Sequence, residues 1–187
     1  MKITFEANPF WNHSLQVYGG EGVSAACIAL QDRHGLDVNL ILYCLWIGQD
    51  GGGVLGAPDF DRLIEVSGDW NANVIQRLRA ARLAIKTGFE ELPTELRDSF
   101  RKRILAIEID GERAEQFLLG SLLDRPRDAT RDAEGRARDS AANLWAYLSH
   151  RSVSPGDADI DDLAVILAAA CPDTDRARLL GFLAENI

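Results

Sequence analysis

With 187 residues, 47% of them hydrophobic, the chain is long enough to bury a sizeable core in one domain. Its formal net charge of −9 excludes a general affinity for nucleic acid or for anionic membrane surfaces. Cys27, Cys44 and Cys171 form no CxxC pair and sit in apolar context, and Met1 to Glu6 carries no signal-peptide core, so the expected setting is the reducing cytoplasm.

Residues 1–8 read as an irregular arm. Asn8-Pro9 then has the form of an N-cap followed by proline at the first helical position, opening a helix over Phe10–Tyr18 with Phe10, Trp11, Leu15 and Tyr18 as anchors. Gly19-Gly20 breaks it. A second helix, Gly22–His34, has small residues that permit close approach to a neighbour. Gly35 closes it in the left-handed conformation, with Arg33 and His34 in the last turn, where positive charge suits the helix dipole.

Asp37 reads as the N-cap of a central helix, and Leu36 and Ile41 have the spacing of a hydrophobic staple. From Val38 to Ile47 only Asn39 is clearly polar, so this helix belongs in the middle of the molecule. The run Gly51-Gly52-Gly53 lacks the preceding strand and the following Lys-Ser/Thr of a phosphate loop and reads as a flexible connection. A short helix from Pro58 to Val66 comes next. Asp69 is then expected to cap a helix over Trp70–Thr87, with Val74, Ile75, Leu78, Ala81 and Ile85 on one side.

Thr94 is expected to cap a long helix reaching Leu123, with its apolar stripe on Leu96, Phe100, Ile104, Ile107, Ala114, Leu118 and Leu122. The short loop before it makes an antiparallel hairpin. Counting back from that loop, Arg79 and Arg82 come level with Glu108, and mutual pairing is the expected role of the two charged edges. Residues 124–135 are polar and aperiodic. Helices follow over Arg136–His150, Ile160–Cys171 and Thr174–Asn186, the last capped by Asp173 or Thr174. The fold class is all-α: an irregular multi-helix bundle with a long antiparallel hairpin and a C-terminal helical extension. Two parts are expected, a bundle over 1–123 and an acidic linker plus helical module over 124–187 packed on it.

Phe10-Trp11, Ser14-Leu15, Tyr18 and Gly22-Val23, then Leu30-Gln31-Asp32, Gly35 to Leu40 and Leu45-Trp46, resemble a small proteobacterial family of helical proteins with no assigned function. Trp70, Leu78-Arg79, Arg82, Lys86, Glu108, Glu112 and Glu115-Gln116 resemble its second half, so the similarity runs over residues 8–122. His13 stands where that family more often has an aromatic. The resemblance implies a helical cytoplasmic protein and supplies no activity.

Function is therefore sought in polar groups bordering apolar helix faces. The candidate ligand-binding set is Asp32, His34, Asp37, Asn39, Arg79, Arg82, Lys86, Glu108, Glu112 and Glu115. Asp32, His34 and Asp37 also have ordinary duties at two helix ends. The carboxylates suit an acid–base, magnesium or organic-cation site between helices. Arg79, Arg82 and Lys86 suit a small anionic ligand. No Glu-x-x-His accompanies the carboxylates, no G-x-S-x-G is present, and no cofactor or dedicated metal site is expected. The expectation is a protein-binding or regulatory module rather than an enzyme, with another protein as partner; the alternative is a small-molecule or metal-binding enzyme with a carboxylate/arginine site. Acid and base groups are expected to neutralise one another inside the bundle and leave no reactive centre open.

Overall fold

The computed structural model describes residues 6–185. Positions 1–5 of the expected arm, and Asn186 at the expected end of the last helix, lie outside them. The elements are α1 (Pro9–Tyr18), α2 (Val23–His34), α3 (Val38–Gln49), α4 (Ala57–Trp70), a π turn (Asn71–Ile75), α5 (Gln76–Thr87), α6 (Thr94–Leu122), α7 (Ala133–His150), α8 (Asp157–Ala170) and α9 (Arg176–Ala184). Among the described residues there is no strand, and the fold is all-α. No helix among them is long and apolar enough to cross a membrane.

The start and stop signals of the first third act as the chain chemistry dictates. The Asn8 side chain accepts from Phe10 N and Trp11 N. Gly35 takes φ +64 and ends α2, its N–H donating to Gln31 O. Asp37 caps α3, its carboxylate accepting from Asn39 N. Every residue from Asn39 to Gly48 is buried, so α3 is the axis of the molecule.

Phe10 of α1 meets it edge-on at Tyr43 and stacked at Trp46, with ring centroids 5.3 and 5.2 Å apart. On the far side α7 lies against α3 so closely that a Cβ on Gly48 would sit 2.3 Å from Ser140 Oγ and 2.5 Å from Ser140 N. One core cluster draws on both halves of the chain, from Phe10 to Leu183. The tail residues Leu144, Tyr147 and Leu148 are buried in it, and Tyr147 stacks on Phe60 of α4.

Several boundaries differ from expectation. Asp69 does not cap a helix: α4 runs through it to Trp70, and the π turn joins α4 to α5 without a break. Ser67 in that stretch is buried and turns its hydroxyl back onto Leu63 O, which satisfies it within the continuous helix. Pro93 occupies the cap position of α6 and Thr94 is its first helical residue. Asp132 caps α7, which begins before Arg136, and Asp175 rather than Asp173 or Thr174 caps α9. The glycine loop is tied down: Asp128 N donates to Gly51 O, Arg125 to Gly52 O and Val54 O, and Asn143 to Gly53 O while it accepts from Leu55 N.

The largest correction concerns α6. Leu96, Phe100, Ile107 and Leu118 of the expected apolar stripe are exposed, whereas Glu108, Gly111, Glu115, Gln116 and Leu119 are buried. Guanidinium–carboxylate bonds and a buried amide network fix which side of α6 meets the body. Hydrophobic periodicity does not register those forces.

Candidate functional site

A cleft of about 540 Å³ opens between the α1–α2 pair and the α5–α6 hairpin, with the start of α3 and the π turn as its floor. Six of its lining residues are large apolar side chains left 37–55% exposed: Leu15 and Tyr18 of α1, Ile28 of α2, Leu83 of α5, Leu105 and Ile109 of α6. Exposed apolar groups scattered singly need no explanation, but six on one concave surface do.

The floor is polar and built around the Asp37 cap. Asp37 Oδ1 accepts from Asn39 N at 2.8 Å, and Oδ2 accepts from the Asn71 side-chain amide at 3.0 Å. Its backbone N–H donates to the Tyr147 hydroxyl at 2.9 Å, tying the cap to α7. Asn39 donates to Glu115 Oε2 at 2.5 Å and accepts from Gln116 Nε2 at 2.7 Å. Glu115 is fully buried just behind Asn39. Burial, and then the negative charge of Asp37, push its carboxyl up to about 9; a hydrogen bond between the two side chains favours a protonated Glu115 and an ionised Asp37. Burial also raises the Asp37 carboxyl.

The two arginines are held along one wall. Arg79 reaches Glu108 at 3.0 Å, Glu112 at 3.1 Å and Gln31 at 2.5 Å, and Arg82 reaches Glu108 at 2.6 and 3.1 Å. The register counted from the hairpin loop is therefore the observed one. Burial pushes the Glu108 carboxyl up, but hydrogen bonds from Arg82 and Arg79 outweigh it and hold the group below the usual carboxylate range. Glu112 goes the other way: burial raises it, Arg79 partly offsets this, and Glu108 and Asp37 add to it.

Of the expected set, Asp32, Asp37, Asn39, Arg79, Arg82, Glu108 and Glu112 line the cleft, and Glu115 supports it from behind. His34 and Lys86 do not belong to it. His34 points at α8, where its Nε2 lies 2.9 Å from Asp159 Oδ1 beside Arg33. Lys86 is exposed toward the end of α5. The expected mutual neutralisation holds for Arg79, Arg82 and Glu108 and fails for Asp37, which faces an open cleft with only neutral hydrogen-bond donors on its carboxylate. No three His, Cys, Asp or Glu side chains among the described residues come together as a metal ion requires.

Sequence reasoning missed four contributors. Gln31 and Gln116 stand inside the family-like strings, and Gln116 follows Glu112 by one helical turn. Ser14 follows Trp11 by three residues on α1 and shares its face of the cleft. Asn71 had no readable signal, because the π turn that aims it is not written in residue types.

A family model described as "Protein of unknown function (DUF2390)" matches residues 9–119, which includes every residue that lines the cleft. No curated protein and no solved structure matches the chain.

Proposed function

We propose that the chain, which belongs to this family of unknown function, is a binding protein whose cleft receives a small amphipathic molecule. One observation carries the reading: six exposed apolar side chains from four helices converge over a hydrogen-bonding floor. A volume of about 540 Å³ suits a small molecule, since such sites run from about 300 to 1,000 Å³. Arg79 and Arg82 are already engaged by Glu108, Glu112 and Gln31, which favours this reading over an anion site. The reading is one of retention, with no bond-making step.

A titration of the full chain with n-octanol, followed by amide NMR, tests it. Saturable shifts are expected in the Asp37–Asn39 and Leu105–Glu112 segments, and Leu83→Trp, placed at an exposed position, is expected to abolish them. Shifts that never saturate, or that persist unchanged in Leu83→Trp, overturn the reading.

A protein partner is the second reading, and the occupant it commits to is another copy of the chain. The outer face of α6 presents Leu96, Phe100 and Ile107 at 43–53% exposure. Between positions 90 and 103 four acids (Glu90, Glu91, Glu95, Asp98) stand beside four bases (Arg97, Arg101, Lys102, Arg103). Such balance suits a two-fold, self-complementary contact in a chain whose overall charge is repulsive. Sedimentation is expected to show a dimer that Phe100→Asp dissociates; a monomer at every concentration removes this reading.

A further inference from the structure

Resting on the cleft reading, we propose that the site selects molecules whose polar end is a protonated amine. Two independent observations support it. The first is a pair of polar atoms without partners, a hydroxyl and an amide oxygen, both able to accept. Ser14 and Gln116 are each 3% exposed and both line the cleft, yet Ser14 Oγ and Gln116 Oε1 have no hydrogen-bond partner. The Gln116 amide nitrogen is committed to Asn39 Oδ1, and the Asn39 amide to Glu115 Oε2, so the network orients Gln116 and leaves its carbonyl oxygen as an unused acceptor. Buried acceptors left unpaired cost on the order of 1–3 kcal/mol each, so a ligand that donates to them is favoured.

The second observation is charge. Among the lining residues four carboxylates (Asp32, Asp37, Glu108, Glu112) face two guanidiniums (Arg79, Arg82), and 4 − 2 leaves two negative charges. Glu108 takes bonds from both arginines and Glu112 from one, whereas the Asp37 carboxylate is met by neutral groups, the Asn39 backbone, the Asn71 amide and the protonated Glu115, and by no guanidinium bond. A carboxylate drawn out of water beside neutral donors is stabilised by a cation. A primary ammonium brings one positive charge and three donors, the complement of a carboxylate, a carbonyl oxygen and a hydroxyl oxygen that line one cleft. Trp11 and Tyr18 lie on the same wall; the Arg113 guanidinium already sits 5.1 Å over the Trp11 ring, so Tyr18 is the aromatic left without such a cation among the described residues. An organic cation fits better than a metal ion, because no metal-type cluster is present among the described residues.

Calorimetric titration of the full-length chain with n-octylammonium, n-octanol and octanoate tests the proposal without any variant. Octylammonium is expected to bind at least roughly tenfold more tightly than octanol, and octanoate more weakly than either. Equal affinity for octylammonium and octanol overturns the proposal and leaves the cleft reading standing; failure of all three to bind overturns both. Asp37→Asn keeps a good helix cap and is expected to bring octylammonium down to the level of octanol. Asp32→Asn changes an exposed side chain, where folding is not at stake, and is expected to cost a smaller factor of about three. An undiminished preference for the amine in both variants overturns the charge assignment.

Discussion

Replacing Glu115 by glutamine tests the electrostatics of the cleft floor. Glutamine copies the protonated acid: its oxygen accepts from the Asn39 amide as Glu115 Oε2 does, and its nitrogen can donate toward Asp37. In the folded protein the Glu115 carboxyl titrates at about 9, against an ordinary value of 4.5. Between those limits the folded chain holds a proton that the unfolded chain has released. The unfolded state therefore binds fewer protons, and stability falls as pH rises.

The proton's contribution is complete below the ordinary value and is lost progressively toward 9. One unit of pKa difference corresponds to about 1.4 kcal/mol, so a rise from about pH 6 to about pH 8 removes at most on the order of 3 kcal/mol from the parent chain and none from Glu115→Gln at this site. Sharing of the proton with Asp37 spreads the titration and brings the expected difference to about 2 kcal/mol. Urea unfolding of both proteins at the two pH values measures the difference for the Glu115–Asp37 pair, since titrating groups away from that pair cancel in the comparison. Parallel pH profiles would refute the reasoning, because they would mean that Glu115 is ionised in the folded state.

Other perturbations separate the forces that shape the site. Glu108→Ala leaves two guanidiniums without their shared buried partner and is expected to cost about 3 kcal/mol in chemical unfolding, whereas Glu112→Ala, at a side chain 32% exposed, is expected to cost less than about 1. Equal losses would contradict the assignment of Glu108 as the centre of the pair. Gly48→Ala drives a Cβ into the Ser140 backbone and is expected to lower stability by about 2–3 kcal/mol. Gly181→Ala, with nothing within 4 Å, is expected to raise it by about 0.5–1, and thermal melts of the two report both signs. Burial lowers the His13 imidazole from 6.5 to about 4, so between these values the unfolded chain takes up a proton that the folded one does not, and stability falls on acidification. His13→Phe removes that slope, with an advantage of up to about 2 kcal/mol near pH 5 that vanishes near neutrality. A constant offset between the two proteins would sink the argument.

The legible parts of this fold are those fixed by local chemistry. Asn8, Gly35 and Asp37 announce their helix ends because capping and left-handed closure are decided within one turn. The burial of α3 follows from its nearly continuous apolar run. The pairing of Arg79 and Arg82 with Glu108 followed from counting back along a hairpin with a short loop.

What escaped depends on contacts distant in sequence. Asp69 has the composition of a cap, but packing of α4 and the π turn keeps the helix continuous through it. On α6, periodicity placed Leu96, Phe100 and Ile107 inward, and the polar side turned in instead because Arg79, Arg82 and Asn39 supply partners for Glu108 and Glu115. The apolar rim was present in the sequence as Leu15, Tyr18, Ile28, Leu83, Leu105 and Ile109. Nothing in those residue types reveals that four helices bring them to one cleft.

A crystal structure grown with n-octylammonium bears most directly on the account. The expected result is the ammonium nitrogen within hydrogen-bond distance of the Asp37 carboxylate, with the alkyl chain lying along Leu83, Leu105 and Ile109. An alkyl chain seated instead on the outer Leu96–Phe100 stripe, with the cleft filled only by solvent, would contradict it.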